Sequence, residues 1–239
     1  MEEVVRSVLF LLTIFVSNTI QVITGFAGAM LAMPPSIRLI GVEPAKAILN
    51  IVSGASCIWV VVKNWRSIDY RELLKIILLM GIGLVAGAKL FHILALDILL
   101  KCYGMLIILI ALKKMFIRRE FRLPRIVLYG CLLAAGLIHG LFVSGGSFLV
   151  VYAVWALQGK EKFRSTVSAV WIILNTYLLY DHYQAGYFTP EVGSLLVMSI
   201  APFLLAVWLG NRMAEKISTE KFLKLTYVLL LASGILVLV

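Results

Sequence analysis

Charge is what this chain has least of, and its scarcity is concentrated in two long runs. Residues 7–37 and 126–159 contain no Asp, Glu, Lys or Arg. Over the whole chain 14% of residues are charged, against about 25% in a typical soluble domain, while 62% are hydrophobic and the mean hydropathy is +1.02. This composition excludes an ordinary soluble domain and predicts an all-α protein that crosses a membrane several times.

Residue types that carry metal or catalytic chemistry are also scarce. The three cysteines show no CxxC spacing, which argues against a disulfide framework and against a zinc site. The sequence has no HExxH motif and no phosphate-binding loop, and Asp97 lies near a segment end rather than deep in a span. Ser144 has Phe142 where an intramembrane serine protease of the Gly-x-Ser-Gly type would have glycine. We therefore predict no enzymatic activity, no cofactor and no bound metal.

Each charge-free run has a length that suits neither one membrane helix nor two. The runs are 31 and 34 residues long, whereas one span needs roughly 20 residues and two need about 40. Each contains a glycine-rich segment where a helix would break, residues 24–28 (the first break) and residues 144–147 (the second break). We predict two re-entrant helical hairpins, over residues 5–38 and 126–159. Interrupted apolar segments at corresponding places in two halves of a chain are typical of transporter binding sites.

The order of the apolar segments predicts an internal duplication. A shift of 118 residues superimposes Gly28 on Gly146, and a shift of 123 superimposes Gly87 on Gly210. The predicted organisation is a first repeat at 1–116, a basic cytoplasmic linker at 117–125 and a second repeat at 126–239. Each repeat has one hairpin and three spans, with the spans at 47–64, 73–91 and 94–112 in the first and at 165–181, 191–211 and 222–239 in the second.

Basic residues favour one threading of these segments through the membrane. If each charge-free run crossed once, the 22 Lys and Arg residues would divide evenly, 11 on each side. If each run turns back at its break, 17 lie in the cytoplasm and 5 outside, as the positive-inside rule requires. Each repeat then crosses three times, so the second repeat is predicted to be inverted relative to the first. The net charge of +10 is thus assigned to orientation in the bilayer and not to nucleic-acid binding.

The two breaks are predicted to bind the substrate. A helix that restarts after glycine presents unsatisfied N–H groups and the positive end of its dipole, both of which attract oxyanions. The candidate residues at the breaks are Gln21, Thr24, Gly25, Gly28, His139, Ser144, Gly145 and Gly146. Two alternatives stay open: the glycines could serve close helix packing, and Gln21 and His139 could bond to neighbouring helices. For His139, proton transfer is a further role left open.

The second segment of each repeat carries a polar stripe. Lys46, Asn50, Ser53 and Cys57 share one helical face, and the shift of 118 carries them to Arg164, Ser168, Trp171 and Asn175. Asn50, Ser168 and Asn175 are predicted to complete a neutral cage around an anion, with polar contact between helices as the alternative. Lys46 and Arg164 lie at segment ends, where they would anchor the helices at the membrane surface or attract anions.

Both breaks resemble a known family. The segments that carry the resemblance are Gln21 to Gly28, Met33-Pro34-Pro35, Gly41, Gly140 and Ser144-Gly145-Gly146. In these segments, and in length, duplication and segment order, the chain resembles the sulfite exporter TauE/SafE family, also called the toluene sulfonate uptake permease family. The resemblance implies a prokaryotic cytoplasmic-membrane permease for sulfur-containing anions such as sulfite, sulfonates or sulfoacetate, or for related small anions.

These features together predict a secondary transporter that moves a small sulfur-containing anion by alternating access of two inverted halves. Its predicted partners are the anion and the lipid bilayer, with a proton or a sodium ion if transport is coupled, and a homo-oligomer is left open. The alternatives are a permease for another small anion or an organic acid, and an accessory membrane subunit that transports nothing.

Overall fold

A computed structural model describes residues 2–116 and 124–216, together with the single positions 231 and 235. Over these residues the secondary structure is helical, without a strand, and the predicted all-α fold is confirmed. The helices are α1 (Glu2–Thr24), α2 (Gly28–Ile40), α3 (Val42–Asn64), a 3₁₀ turn (Trp65–Ser67), α4 (Tyr70–Ile93), α5 (Leu96–Phe116), α6 (Arg125–Phe142), α7 (Gly146–Ala156), α8 (Lys160–Gln184) and α9 (Pro190–Lys216).

Several of these helices are suited to cross a membrane. By length and composition, five described segments can do so: Val4–Thr24, Val42–Ser67, Tyr70–Ile93, Arg125–Phe142 and Pro190–Met213. Their outward side chains are apolar, as on α4, where Leu74, Leu78 and Ile82 share one face and are 60 to 66% exposed. Such a stripe suits contact with lipid chains. The predicted multi-pass membrane protein is confirmed.

The predicted spans of the first repeat coincide closely with α3, α4 and α5. In the second repeat, the spans predicted at 165–181 and 191–211 lie within α8 and α9. The span predicted at 222–239 and most of the linker at 117–125 lie outside the described residues.

Both charge-free runs break at their glycines, between α1 and α2 and between α6 and α7. In each case the second helix folds back along the first. Leu31 and Pro35 of α2 lie beside residues 9–17 of α1, and the Tyr152 ring of α7 lies 6.2 Å from the Tyr129 ring of α6. Both runs thus form antiparallel helical hairpins. Because α1 begins upstream of the run, at Glu2, it is long enough to cross a membrane alone.

The polar stripes of α3 and α8 face one another. Asn50 Nδ2 of α3 donates to the Asn175 carbonyl of α8 at 3.0 Å. About two helical turns away, Ser168 of α8 lies beside the Cys57 thiol of α3. Later residues of α3 contact earlier residues of α8, so the two helices are antiparallel. We call this buried contact the α3–α8 seam.

Four glycines allow α4 and α6 to pack with their backbones nearly in contact. They are Gly83 and Gly87 on α4, and Gly136 and Gly140 on α6. A Cβ added to Gly87 would lie 2.1 Å from the Leu137 carbonyl oxygen, and one added to Gly136 would lie 2.0 Å from that of Met80. Small residues spaced four apart commonly permit such close approach in membranes. This pair of helices forms the wall behind the second break.

The loop between α3 and α4 is tied to the start of α8 through Asp69. Its carboxylate accepts the Glu72 backbone N–H at 3.1 Å and the Lys162 ammonium at 3.1 Å, and its own N–H donates to the Thr166 hydroxyl at 3.0 Å. The Glu72 N–H, and then Lys162, hold the pKa of the Asp69 carboxyl below its usual range. The stabilisation from the two carboxylate bonds is therefore fully present above the ordinary carboxyl pKa and is lost as pH falls through the lowered one, whereas the bond from the Asp69 N–H to Thr166 does not depend on this ionisation.

Candidate functional site

The first break satisfies most of its own polar groups. Thr24 Oγ1 accepts the two backbone N–H groups that precede α2, at 3.2 and 3.3 Å, and donates back to an α1 carbonyl at 2.8 Å. Gln21 Oε1 accepts the Gly28 N–H at 2.8 Å, and its Nε2 donates to the Gly25 carbonyl at 3.3 Å. Gly25 has φ +83°, which a side chain would strain. In this conformation Thr24 and Gln21 are thus occupied in holding the break.

Two side chains of α8 bind the carbonyls at the first break. Arg164 Nη2 donates to the Val22 carbonyl at 2.6 Å, and the Trp171 indole N–H donates to the Gly25 carbonyl at 3.1 Å. The orphan carbonyls at the end of α1 therefore find partners on the facing polar stripe. The stripe of α8 and the first break form one unit.

The second break is held differently. The Tyr103 hydroxyl of α5 donates to Ser144 Oγ at 2.6 Å, and a Cβ on Gly145 would lie 2.1 Å from the Ala135 carbonyl oxygen. Gly145, which precedes α7, supplies no side-chain cap to the first N–H groups of this helix. The amino end of α7 has the N–H groups and the positive dipole end of a helix start.

The two breaks meet inside the protein. A Cβ added to Gly146 would lie 2.6 Å from the carbonyl oxygen of Phe26 in the first break. The His139 ring, one turn before the second break, packs 4.6 Å from the Trp171 ring, which bonds the first break. Residues 120 positions apart in the sequence, Phe26 and Gly146, are thereby brought into one buried region.

Asn50 and Asn175 make a reciprocal contact at the middle of the seam. Each side-chain amide donates to the other residue's backbone carbonyl, at 3.0 and 3.5 Å. Asn175 Oδ1 also lies 2.8 Å from His139 Nε2. Because an amide oxygen only accepts, this contact assigns the Nε2 proton to His139. It leaves Asn50 Oδ1 and His139 Nδ1 buried without a partner among the residues described.

Buried polar atoms that lack a partner are concentrated along the seam. Within the described ranges they include Lys46 Nζ, Asn50 Oδ1, His139 Nδ1, Arg164 Nε, Ser168 Oγ, Asp181 Oδ2 and both ring nitrogens of His182. In folded proteins roughly 90% or more of buried polar groups are paired. This line of exceptions through one helix pair makes the α3–α8 seam the candidate site.

The charge of the seam favours an anion. Lys46 lies at one end and Arg164 at the other, and between them neither described stripe contributes a carboxylate. The sequence left open whether these cations anchor the helices or attract anions. The structure places Lys46 inside the protein, where it is 0% exposed. A buried ammonium at the end of the stripe does not serve as a surface anchor.

Most candidates from the sequence lie in this region. The connected set is Gln21, Gly25, Gly28, Asn50, His139, Gly145, Gly146, Ser168 and Asn175. Thr24 and Ser144 lie at the same breaks, with their hydroxyls bonded to the α1 backbone and to Tyr103.

Three residues of the region were absent from the predicted set. Trp171 was on the stripe but lacked a matching residue type in the other repeat. His182 follows Asn175 by seven positions on the same face of α8, a spacing that could have signalled it. Tyr103 lies on α5, which has no polar face, so only the tertiary contact with Ser144 reveals it.

A polytopic helical protein with two broken hairpins that meet at a buried polar seam has the features of a membrane transporter. The family model described as sulfite exporter TauE/SafE matches residues 9–237, and the chain belongs to this family of membrane permeases. The resemblance that the breaks indicated is confirmed. No curated protein and no solved structure matches the chain.

Proposed function

We propose that the protein is a secondary transporter of a prokaryotic cytoplasmic membrane that carries a small sulfur-containing oxyanion, such as sulfite, a sulfonate or sulfoacetate. The observation that carries this proposal is the line of buried, unpartnered polar atoms between Lys46 and Arg164 in the described structure. The Lys46 ammonium and Arg164 Nε lack acceptors there, and an oxyanion supplies acceptors. The family to which the chain belongs supports a sulfur oxyanion within that class.

The proposed central site lies where the two breaks meet. The amino end of α7 would bind the anion through its N–H groups, with Ser168 and His139 Nδ1 alongside. Because His139 Nε2–H is committed to Asn175, Nδ1 can donate to an anion only when the ring carries a second proton. A proton bound at His139 together with the anion is therefore the proposed form of coupling.

The proposed direction of transport follows from charge. An inside-negative potential favours export of a net negative charge by about 2.3 kcal/mol per charge per 100 mV. Uptake of an uncompensated anion would oppose this force, so uptake would require a coupled proton or sodium ion.

A repeated hydrogen-bond contact supports the proposed inverted duplication. Gln21 Nε2 contacts Cys57 Sγ at 3.4 Å, and the shift of 118 carries this pair to His139 and Asn175, whose polar atoms lie 2.8 Å apart. In each half, the polar residue before the break thus contacts a polar stripe: Gln21 contacts the stripe of α3, and His139 contacts the stripe of α8. Because these corresponding second segments, α3 and α8, run antiparallel, their repeats would have opposite orientations in the membrane.

A glycine contact repeats in the same way. Gly87 of α4 packs against the Leu137 carbonyl of α6, and Gly210 of α9 packs against the Thr19 carbonyl of α1. The shift of 123 carries Gly87 to Gly210, and the shift of 118 carries Thr19 to Leu137. The glycine and the carbonyl therefore come from opposite halves in the two contacts. Two copies of one packing arrangement support a mechanism in which the halves rock about a shared seam, giving alternating access to the central site.

The proposed orientation can be tested by labelling. In a variant whose cysteines are replaced, single cysteines at Lys160 and Lys114 should react only with reagent on the cytoplasmic side, and a cysteine at Lys101 only from outside. These positions follow from turning back at both breaks, which places 17 basic residues inside. Labelling of Lys160 from outside while Lys114 remains inside would rule out the inverted arrangement.

The substrate can be tested with purified protein. We expect sulfite or a sulfonate to raise its unfolding temperature, and liposomes containing it to show sulfite flux that empty liposomes lack. Sulfoacetate and taurine represent the sulfonates, and sulfate and carboxylates form the comparison panel. A His139→Gln variant, which retains a donor toward Asn175 but cannot carry the second proton, should reduce the dependence of flux on pH.

Stabilisation only by carboxylates would contradict the sulfur-oxyanion proposal, and an absence of anion binding and flux would favour an accessory subunit. Unchanged pH dependence in His139→Gln would remove His139 from the coupling mechanism while leaving anion transport intact.

A further inference from the structure

One end of the α3–α8 seam contains a buried basic pair that the central site does not use. Lys46 and His182 are both 0% exposed. The Lys46 ammonium has no hydrogen-bond acceptor among the described residues, and neither ring nitrogen of His182 has a partner there. Both side chains lie against the same ring, Tyr187, whose centre is 5.9 Å from Lys46 Nζ and 5.3 Å from the centre of the His182 ring.

Aromatic rings, and not carboxylates, surround the ammonium. Lys46 Nζ lies 3.3 Å from the centre of the Phe91 ring and 5.9 Å from that of Tyr187. Asp181 and Glu43 act on it only from a distance, and it makes no ion pair within the described ranges. Asp181 lies instead 3.8 Å from His92.

A lysine in this setting lacks its usual compensation. Buried charges are ordinarily paired and hydrogen-bonded, because desolvation of an ammonium is costly. The face of an aromatic ring attracts the cation but accepts none of its three hydrogen bonds. The ammonium and the His182 imidazole therefore offer unused hydrogen-bonding capacity to a small anion.

We propose that Lys46 and His182 form a second anion-binding station, which a small oxyanion occupies between the extracellular solution and the central site. This inference rests on the proposed transport function and assigns a separate step to it. Lys46 would supply charge-assisted hydrogen bonds, and His182 would donate one further bond through a protonated ring nitrogen.

Along α8, the station lies between partly exposed residues and the amide contact at the middle of the seam. His92, with its side chain 43% exposed, and Asp181, 22% exposed, form the rim. Tyr187 stacks on His182 at 5.3 Å. Further inward, His182 follows Asn175 by seven positions on the same face of α8, so the station leads toward the amide contact at the middle of the seam.

Phe91 connects the station to the second break. Its ring lies under the Lys46 ammonium and also packs edge-on, at 6.2 Å, against Phe142, the last residue of α6. An anion that draws Lys46 away from Phe91 would release this ring from the cation. The Asp181 carboxylate opposes the anion, which limits its residence at the station.

The other end of the seam differs. Arg164, which corresponds to Lys46 under the shift of 118, already donates to the Val22 carbonyl at 2.6 Å. Its guanidinium is partly committed to holding the first break. The unoccupied cation is thus specific to the Lys46 end, which the proposed topology places outside.

Lys46→Gln tests the station because it removes the charge and keeps a polar side chain. With sulfite supplied at the extracellular face, we expect the half-saturating concentration to rise by about tenfold, the effect of losing one charge-assisted hydrogen bond. With sulfite supplied at the cytoplasmic face it should stay at the wild-type value. Lys46→Arg should restore much of the loss, and His182→Gln should reproduce it in part.

Lys101→Gln is the matched control, since Lys101 is an exposed lysine paired with Asp97 on the same proposed side. It should behave as wild type. Equal half-saturation in Lys46→Gln and wild type, or an equal change at both faces, would overturn the station. If Lys46→Gln does not yield folded protein, the same comparison is made with Lys46→Arg and His182→Gln, and wild-type values in His182→Gln would overturn it. An absence of wild-type sulfite flux would instead contradict the proposed function itself.

Discussion

Gly136→Ala is expected to prevent α4 and α6 from packing, and to destabilise the protein more than any substitution at the polar site. The added Cβ would lie 2.0 Å from the Met80 carbonyl oxygen, a backbone atom that cannot rotate away. Over-packing of a buried contact costs about 1–3 kcal/mol, and here the cost should reach at least the upper end because the helices must separate. The measurement is the unfolding temperature in detergent, together with the yield of monodisperse protein.

Gly130→Ala provides the matched control on the same helix. A Cβ at Gly130 meets nothing within 4 Å, so this change should be neutral, or stabilising by up to about 1 kcal/mol through helix propensity. If both variants unfold at the same temperature as wild type, close packing of α4 on α6 is not what holds this part of the fold.

Gly146→Ala is expected to abolish most transport while leaving the membrane helices folded. The new methyl group would lie 2.6 Å from the Phe26 carbonyl oxygen, so the two breaks would have to move apart at the proposed central site. We expect sulfite flux at saturating concentration to fall by about tenfold or more, which corresponds to about 1.4 kcal/mol in the barrier. Flux in liposomes and the unfolding temperature should be measured on the same preparation.

Gly193→Ala serves as the control for this change, since Gly193 on α9 has no neighbour within 4 Å of an added Cβ. Its flux should equal that of wild type. Wild-type flux in Gly146→Ala would show that transport does not depend on close contact of the two breaks. A parallel loss of stability and flux would mean that the contact is needed for folding, which contradicts the separation expected here.

The two glycine contacts have different parts in the proposed mechanism. The four glycines between α4 and α6 are covered by backbone on both sides, which suits a fixed wall. The first break is joined to α8 through single side chains, such as Trp171, which donates to the Gly25 carbonyl. Bonds of this kind can exchange one partner for another, as alternating access requires.

Local composition was enough to predict the class of protein and the position of both breaks. Absence of charge over 31 and 34 residues is decisive because lipid excludes charged side chains whatever the tertiary fold. Glycine at Gly25 and Gly28 breaks a helix by its own backbone properties, and α1 indeed ends at Thr24. The same glycines indicated the family, which the match over residues 9–237 shows.

The polar stripes were predictable for a similar reason. By spacing alone, Asn50 shares one face of α3 with its stripe and Asn175 shares one face of α8 with the other stripe, so neither face required knowledge of neighbours. What spacing could not specify was their partners. The reciprocal bonds between them depend on α3 and α8 lying antiparallel at a particular register.

The sequence by itself thus determined what is local. It indicated a helical membrane protein whose two charge-free runs break at glycine segments, with a polar stripe on each of the segments that became α3 and α8. Only the tertiary structure decided that Gly146 touches the first break, that Trp171 bonds it, and that Lys46 is buried against Phe91 instead of lying at the surface. The physical reason is that hydropathy and backbone preference act within a few residues. Burial and hydrogen-bond partners depend on helices distant in sequence.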